Sequence, residues 1–187
     1  DDKQFTIRYQ NYVVRVLNPI SVFKDLILTF ESAASSDLIV GVNIVAPENN
    51  TIAMRDYWLH NQFFRFLKSK YKNVKTAMHA GELTLGLVKP EELSWHISET
   101  VFEANADRIG HGVDIAYESN SDSLLKFMAS NKIPVEINLT SNEFILGVKG
   151  EAHPISLYYE YDVPIVISTD DAGVLRTDLT EQYIKLF

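Results

Sequence analysis

Cysteine is absent from these 187 residues, so neither disulfides nor a thiolate metal site can hold the chain together. Any bound metal must rely on histidine, aspartate and glutamate. Basic charge is scarce too: 17 lysines and arginines stand against 25 acidic residues, a formal charge of -8. With no basic stripe, the composition argues against a nucleic-acid partner and fits a neutral or cationic small substrate. No apolar run approaches the roughly 18 residues of a membrane span, which argues against a membrane partner. The opening residues Asp1-Asp2-Lys3-Gln4 carry no initiating methionine and do not read as a targeting segment. They leave the compartment open and point to a chain that begins inside something longer.

What is present is enough for a buried core, with 46% hydrophobic residues and 11% aromatics. Phe5 to Leu17 reads as a strand closed by Asn18-Pro19, and Ile20 to Ala34 carries Val22, Phe23, Leu26, Ile27 and Phe30 at helical period. Leu38 to Ala46 is a nearly continuous apolar run, as expected of a strand buried on both faces, and Pro47 ends it. A helix follows from about Ile52 to Tyr71, whose aromatics, including Trp58 and Phe66, are expected to pack. Further strands are expected at Val74 to Met78, Arg108 to Gly112, Val135 to Leu139 and Val163 to Thr169. Helices are expected from Pro90, from Ser121 to about Asn131, and from His153-Pro154 to Tyr161. Thr140-Ser141-Asn142 reads as a polar loop.

Strict alternation of six strands with helices or helix-length connections implies parallel pairing through right-handed crossovers. The first strand lacks the glycine-rich turn of a nucleotide-binding open sheet. Polar residues at several strand ends favour a partial (β/α)8 TIM barrel, with about six of eight units present, as one incomplete barrel domain over 1-187. The chemistry-bearing residues fall at three of those ends: His79 with Glu82 in HAGE, His111 in RIGHG, and Asp170 with Asp171 in STDD. On a barrel these ends converge at the carboxyl face, where histidine nitrogen and carboxylate oxygen suit a metal such as zinc. Glu82, three residues past His79, reaches the same site without binding the metal, and a carboxyl in a dry pocket becomes a proton donor near neutral pH.

HAGE at 79–82, RIGHG at 108–112 and STDD at 168–171, in this order, resemble the adenosine deaminase family of metal-dependent hydrolases. Gly41 to Glu48 is similar to that family's substrate-binding strand, and LTSN at 139–142 to the end of its seventh strand. The resemblance implies that His79 and Asp170 are Zn2+ ligands, that His111 contacts the metal-bound water as its base, and that Glu82 protonates the purine ring nitrogen. It also implies that Asp171 meets the ring on its five-membered side, and that a purine nucleoside is the substrate, losing ammonia to give the 6-oxo product.

Two departures qualify this. The family's first strand carries a His-x-His pair of zinc ligands, and the five histidines here (His60, His79, His96, His111 and His153) contain no such pair. Six strands against eight and the missing pair lead us to expect a fragment that is itself inactive, with open sheet edges prone to self-association or to association with a missing amino-terminal part. Ala46 stands where the family commonly has a glycine whose backbone N–H meets the purine. Deamination of adenine or of a modified adenosine is the rival enzymatic reading, and a non-catalytic binding module the rival of another class. Retention of His79, Glu82, His111 and Asp170 together counts against the binding module. His60 and His96, inside expected helices, are assigned a surface or boundary role. His153 is expected to hydrogen-bond locally, and Asn138 and Asn142 to orient the site.

Overall fold

The computed structural model describes residues 5–187; the amino-terminal Asp1-Asp2-Lys3-Gln4 lies outside the described residues. Its framework is one sheet of six strands in the order of the chain: β1 (Tyr9–Val14), β2 (Ile39–Val45), β3 (Lys75–Ala80), β4 (Arg108–His111), β5 (Val135–Ile137) and β6 (Ile165–Ile167). Each neighbouring pair runs parallel. A helix or helical crossover separates each strand from the next, giving a partial α/β barrel in which β1 and β6 form the two margins.

Local chemistry explains the crossovers. Asn18 accepts a hydrogen bond from the Ser21 amide at 3.0 Å, and Pro19 opens α1 (Pro19–Ser35), which buries Val22, Leu26 and Phe30. Asn50 caps α2 (Thr51–Lys70) through the Ile52 amide, and α2 buries Ala53, Tyr57, His60, Phe64 and Leu67. A 3-10 turn at Pro90–Ser94 precedes α3 (His96–Phe102), so the expected helix from Pro90 is two short pieces, and Leu93, Ile97 and Val101 form its buried stripe. α4 (Ser121–Asn131) buries Leu124, Leu125 and Met128 and ends on Lys132 in a left-handed conformation. These stripes meet Val42, Ile44, Met78, Ile109, Val135 and Ile137 of the strands in one core. Each large side chain fully buried there stabilises the fold by about 1.5–3 kcal/mol.

Three expectations need correction. The first strand is shorter than Phe5 to Leu17, because pairing with β2 covers only Tyr9–Val14. Trp58 and Phe66 do not pack inward: they are 57% and 50% exposed, since the buried stripe of α2 follows Ala53, Tyr57, His60 and Phe64 instead. Thr140-Ser141-Asn142 is no loop but the first turn of α5 (Leu139–Leu146), because β5 stops at Ile137 and the Asn142 amide bonds the Asn138 carbonyl at 2.8 Å. That turn places Asn138, Ser141 and Asn142 at i, i+3 and i+4, on one helical face. α6 (Ile155–Glu160), α7 (Ala172–Leu175) and α8 (Leu179–Leu186) complete the described chain.

Candidate active site

The carboxyl ends of the strands share an unusual backbone. Ala46 after β2, Gly81 after β3, His111 at the end of β4 and Asp170 after β6 all adopt positive φ, at 85°, 76°, 70° and 52°. A left-handed conformation costs an ordinary L-residue about 1–2 kcal/mol. Ala46, His111 and Asp170 keep it because it turns the chain sharply at the sheet's rim, and such strain gathers at functional sites. At Gly81 a side chain is excluded outright: a Cβ there would collide with Asp114 Oδ1 and the Ile97 side chain.

These turns bring the sequence-predicted residues together. His79 Nδ1 lies 3.1 Å from Asn43 Oδ1 on the neighbouring strand, so Nδ1–H donates and Nε2 keeps its lone pair. Asp170 Oδ2 accepts from Ser141 Oγ at 2.7 Å and stands 4.0 Å from His111 Nε2. One donor atom from each of His79, His111 and Asp170 falls within 4.8 Å of the others. A half-buried set of imidazole nitrogen and carboxylate oxygen fits a borderline metal such as zinc. His79, Glu82, Asp170 and Asp171, together with Asn43 and Ala46, line a cavity of about 570 Å³. His111 is fully buried behind that wall, and Asp171 lies at its exposed rim.

Glu82 Oε1 stands 3.6 Å from His111 Nδ1. Burial first, then the charges of Glu48 and Asp170, push its carboxyl up to about 8, so it carries a proton at neutral pH. Burial likewise lowers His111 to about 4 and His79 well below the ordinary imidazole range, and both rings are neutral.

A polar cluster that the sequence did not disclose holds the turn in place. Glu48 accepts from the Gly81 amide at 3.0 Å, from the Glu82 amide at 2.9 Å and from His96 Nδ1 at 2.6 Å. Arg15 Nη1 lies 4.0 Å from the same carboxylate, while Arg15 Nη2 donates to the His79 carbonyl at 2.5 Å. Burial alone would raise Glu48, but the His96 hydrogen bond, with His96 and Arg15 beside it, brings it down to about 2. Both ends of the HAGE turn are thus gripped from behind by an anion and a cation. His96 is therefore wholly buried, and His60 nearly so, which overturns the surface role expected of them; each turns inward because its helix packs that face on the sheet. One signal was available: Arg15 is a charge inside the apolar run Val13-Val14-Arg15-Val16. His153 does bond locally, accepting from the Ile155 amide at 3.2 Å, and Asn142 lies 2.9 Å from His111 Nδ1.

The structure is a partial parallel α/β barrel with acid, imidazole and carboxylate groups converging at the carboxyl ends of its strands, a donor set that fits a divalent metal. The "Adenosine deaminase" family model matches residues 13–186, and the chain belongs to that family. It is 31% identical over 130 residues to an adenosine deaminase of Clostridium acetobutylicum, covering 68% of this chain and 35% of that protein. It is 34% identical over 123 residues to an N6-methyl-AMP deaminase of Danio rerio, covering 62% and 32%. Among solved structures, an adenine deaminase of Arthrobacter aurescens superposes with a TM-score of 0.72 at 14% identity, covering 96% of this chain and 49% of that one. An Arabidopsis ADAL complexed with IMP superposes at 0.71 with 22% identity, covering 96% and 46%. The chain thus matches about a third of the length of these curated relatives and about half of these solved structures.

Proposed function

We propose that the protein containing this chain hydrolyses the 6-amino group of adenosine, taking up water and releasing ammonia to leave the 6-oxo purine. The observation that carries the reading is Glu82: a carboxyl that holds its proton at neutral pH, at the wall of the cavity that His79 and Asp170 share. His79 through Nε2 and Asp170 through its carboxylate would hold Zn2+. Bound there, zinc supplies the Lewis acidity that makes hydroxide available at neutral pH.

The remaining work belongs to the chain's own groups. Glu82 delivers its proton to the ring nitrogen beside the attacked carbon, which draws electron density away from that carbon as water adds. Asp171, at the cavity rim, faces the five-membered side of the ring. Ala46 offers its backbone N–H to the purine, and its positive φ of 85° is the backbone a glycine would adopt without strain.

The similarity to an N6-methyl-AMP deaminase supports a second reading, removal of a modified amine from the same ring position. Ammonia or methylamine release by zinc-loaded protein from adenosine, adenine and N6-methyl-AMP separates them. Turnover of adenosine above the others is expected. Release from none of the three overturns the proposal.

A further inference from the structure

We infer that a hydrogen-bond relay through His153 and Asn142 fixes His111 as the tautomer protonated on Nε2, so that it faces the site as a hydrogen-bond donor, neither metal ligand nor base. The role rests on the deaminase reading above, whereas the relay itself stands on geometry alone.

The relay starts from a group whose direction is beyond dispute. The backbone amide of Ile155 can only donate, and it points at His153 Nδ1 from 3.2 Å. Nδ1 must therefore be the lone-pair nitrogen, and the proton of the neutral ring sits on Nε2. His153 Nε2 lies 3.0 Å from Asn142 Oδ1, so its N–H donates to that carbonyl oxygen. The reverse orientation of the Asn142 amide would set N–H against N–H, so the oxygen and nitrogen of this side chain are assigned by its partner. Asn142 Nδ2 is then the atom 2.9 Å from His111 Nδ1. An amide NH2 can only donate, so His111 Nδ1 accepts and its proton resides on Nε2, 4.0 Å from Asp170 Oδ2.

Asn138 Nδ2 is nearly equidistant from the two ring nitrogens, 3.4 Å from Nδ1 and 3.5 Å from Nε2, and favours neither tautomer. Glu82 Oε1, at 3.6 Å, lies beyond hydrogen-bond reach of Nδ1. His111, Asn142 and His153 are each buried, so no bulk water competes for their polar atoms.

The consequence concerns chemistry. For His111 to ligate a metal or take a proton through Nε2, its own proton would have to move to Nδ1. Asn142 would then have to reverse its amide and point a donor at the Nε2–H of His153. The anchor on Ile155 resists that reversal, so the donor form persists through the cycle. His111 therefore stabilises negative charge on the attacking oxygen by donating to it, and His79 and Asp170 alone of the three serve as ligands.

Nitrogen-15 NMR of the His111 ring in the wild-type protein reads the tautomer directly, before and after zinc addition. A protonated-type Nε2 and a free Nδ1 under both conditions are expected; a protonated Nδ1 in either overturns the inference. Asn142→Asp places an acceptor at both ends of the link. It should move the His111 proton to Nδ1 and lower kcat by about 10–100-fold, with KM changed less than about threefold. An unchanged tautomer or an unchanged kcat in that variant contradicts the relay's role. Wild-type protein that shows the expected tautomer but releases no ammonia defeats the functional reading and leaves the relay standing.

Discussion

At the amino end of the sheet, Asp107 bonds Lys68 at 2.6 Å and Lys75 at 2.9 Å and also accepts from the Thr76 amide. At the carboxyl end, Glu82 has no lysine or arginine partner among the described residues. Each acid lies beside a cavity, about 600 Å³ at the amino end and about 570 Å³ at the carboxyl end, so size does not tell the two apart. Charge pairing does. Burial tends to raise Asp107, but its two lysines outweigh that and hold it below the ordinary carboxylate range. Burial raises Glu82 to about 8, and the neighbouring anions Glu48 and Asp170 push it the same way. The same chemical group is a structural anion at one end and a stored proton at the other, and the difference lies in the deeper burial of Glu82 and in the charges beside each acid.

Breaking the carboxyl-end cluster should have the largest effect on stability. Glu48→Ala leaves Arg15 and His96 buried without their anion and should lower the unfolding free energy by about 3–5 kcal/mol, measured by denaturant titration. Lys75→Ala, which removes one exposed partner of Asp107 while Lys68 stays in place, should cost less than about 1 kcal/mol. Equal losses from the two substitutions would erase the contrast between the ends.

The pH dependence sharpens the contrast because the two acids act in opposite directions. A carboxyl raised in the fold keeps its stabilising advantage below its ordinary value and loses it as pH rises through the raised one. Glu82 should therefore weaken the fold between the ordinary 4.5 and about 8. Asp107 is lowered from 3.8, so its contribution is present above that value and disappears as pH falls through the lowered one. Stability measured across this range should lose its alkaline decline in Glu82→Gln and keep its acid decline; a decline unchanged by that substitution would contradict the raised carboxyl. Deamination should fall above about pH 8, as Glu82 gives up its proton.

The smallest expected effect is at the rim. Ala46→Gly should relieve about 1–2 kcal/mol of left-handed strain and return about 0.5–1 kcal/mol as extra chain entropy. A net gain of under about 1.5 kcal/mol in thermal or denaturant unfolding is expected.

Much of the framework was legible in the chain because it rests on local patterns. The apolar periods of α1 and α4 and the buried run of β2 point to their own elements, and strict alternation dictates parallel order. His79, Glu82, His111, Asp170 and Asp171 were legible as strand-end groups that topology must gather. The supporting cluster was not. Glu48, His96 and Arg15 are distant in sequence and acquire meaning only when β1, β2, β3 and α3 pack together. Asn142 and His153 were legible as polar residues near the site, but their direction was hidden because Thr140-Ser141-Asn142 read as a loop. The i, i+3, i+4 spacing of Asn138, Ser141 and Asn142 was the signal for the helix face that carries them.

Zinc binding measured by calorimetry near neutral pH tests the central claim that the carboxyl end holds the metal through His79 and Asp170. His79→Ala and Asp170→Ala should each abolish binding, while His111→Gln should leave affinity within about tenfold, since His111 acts through a donated hydrogen bond. Binding that survives His79→Ala, or that disappears with His111→Gln, would contradict the account.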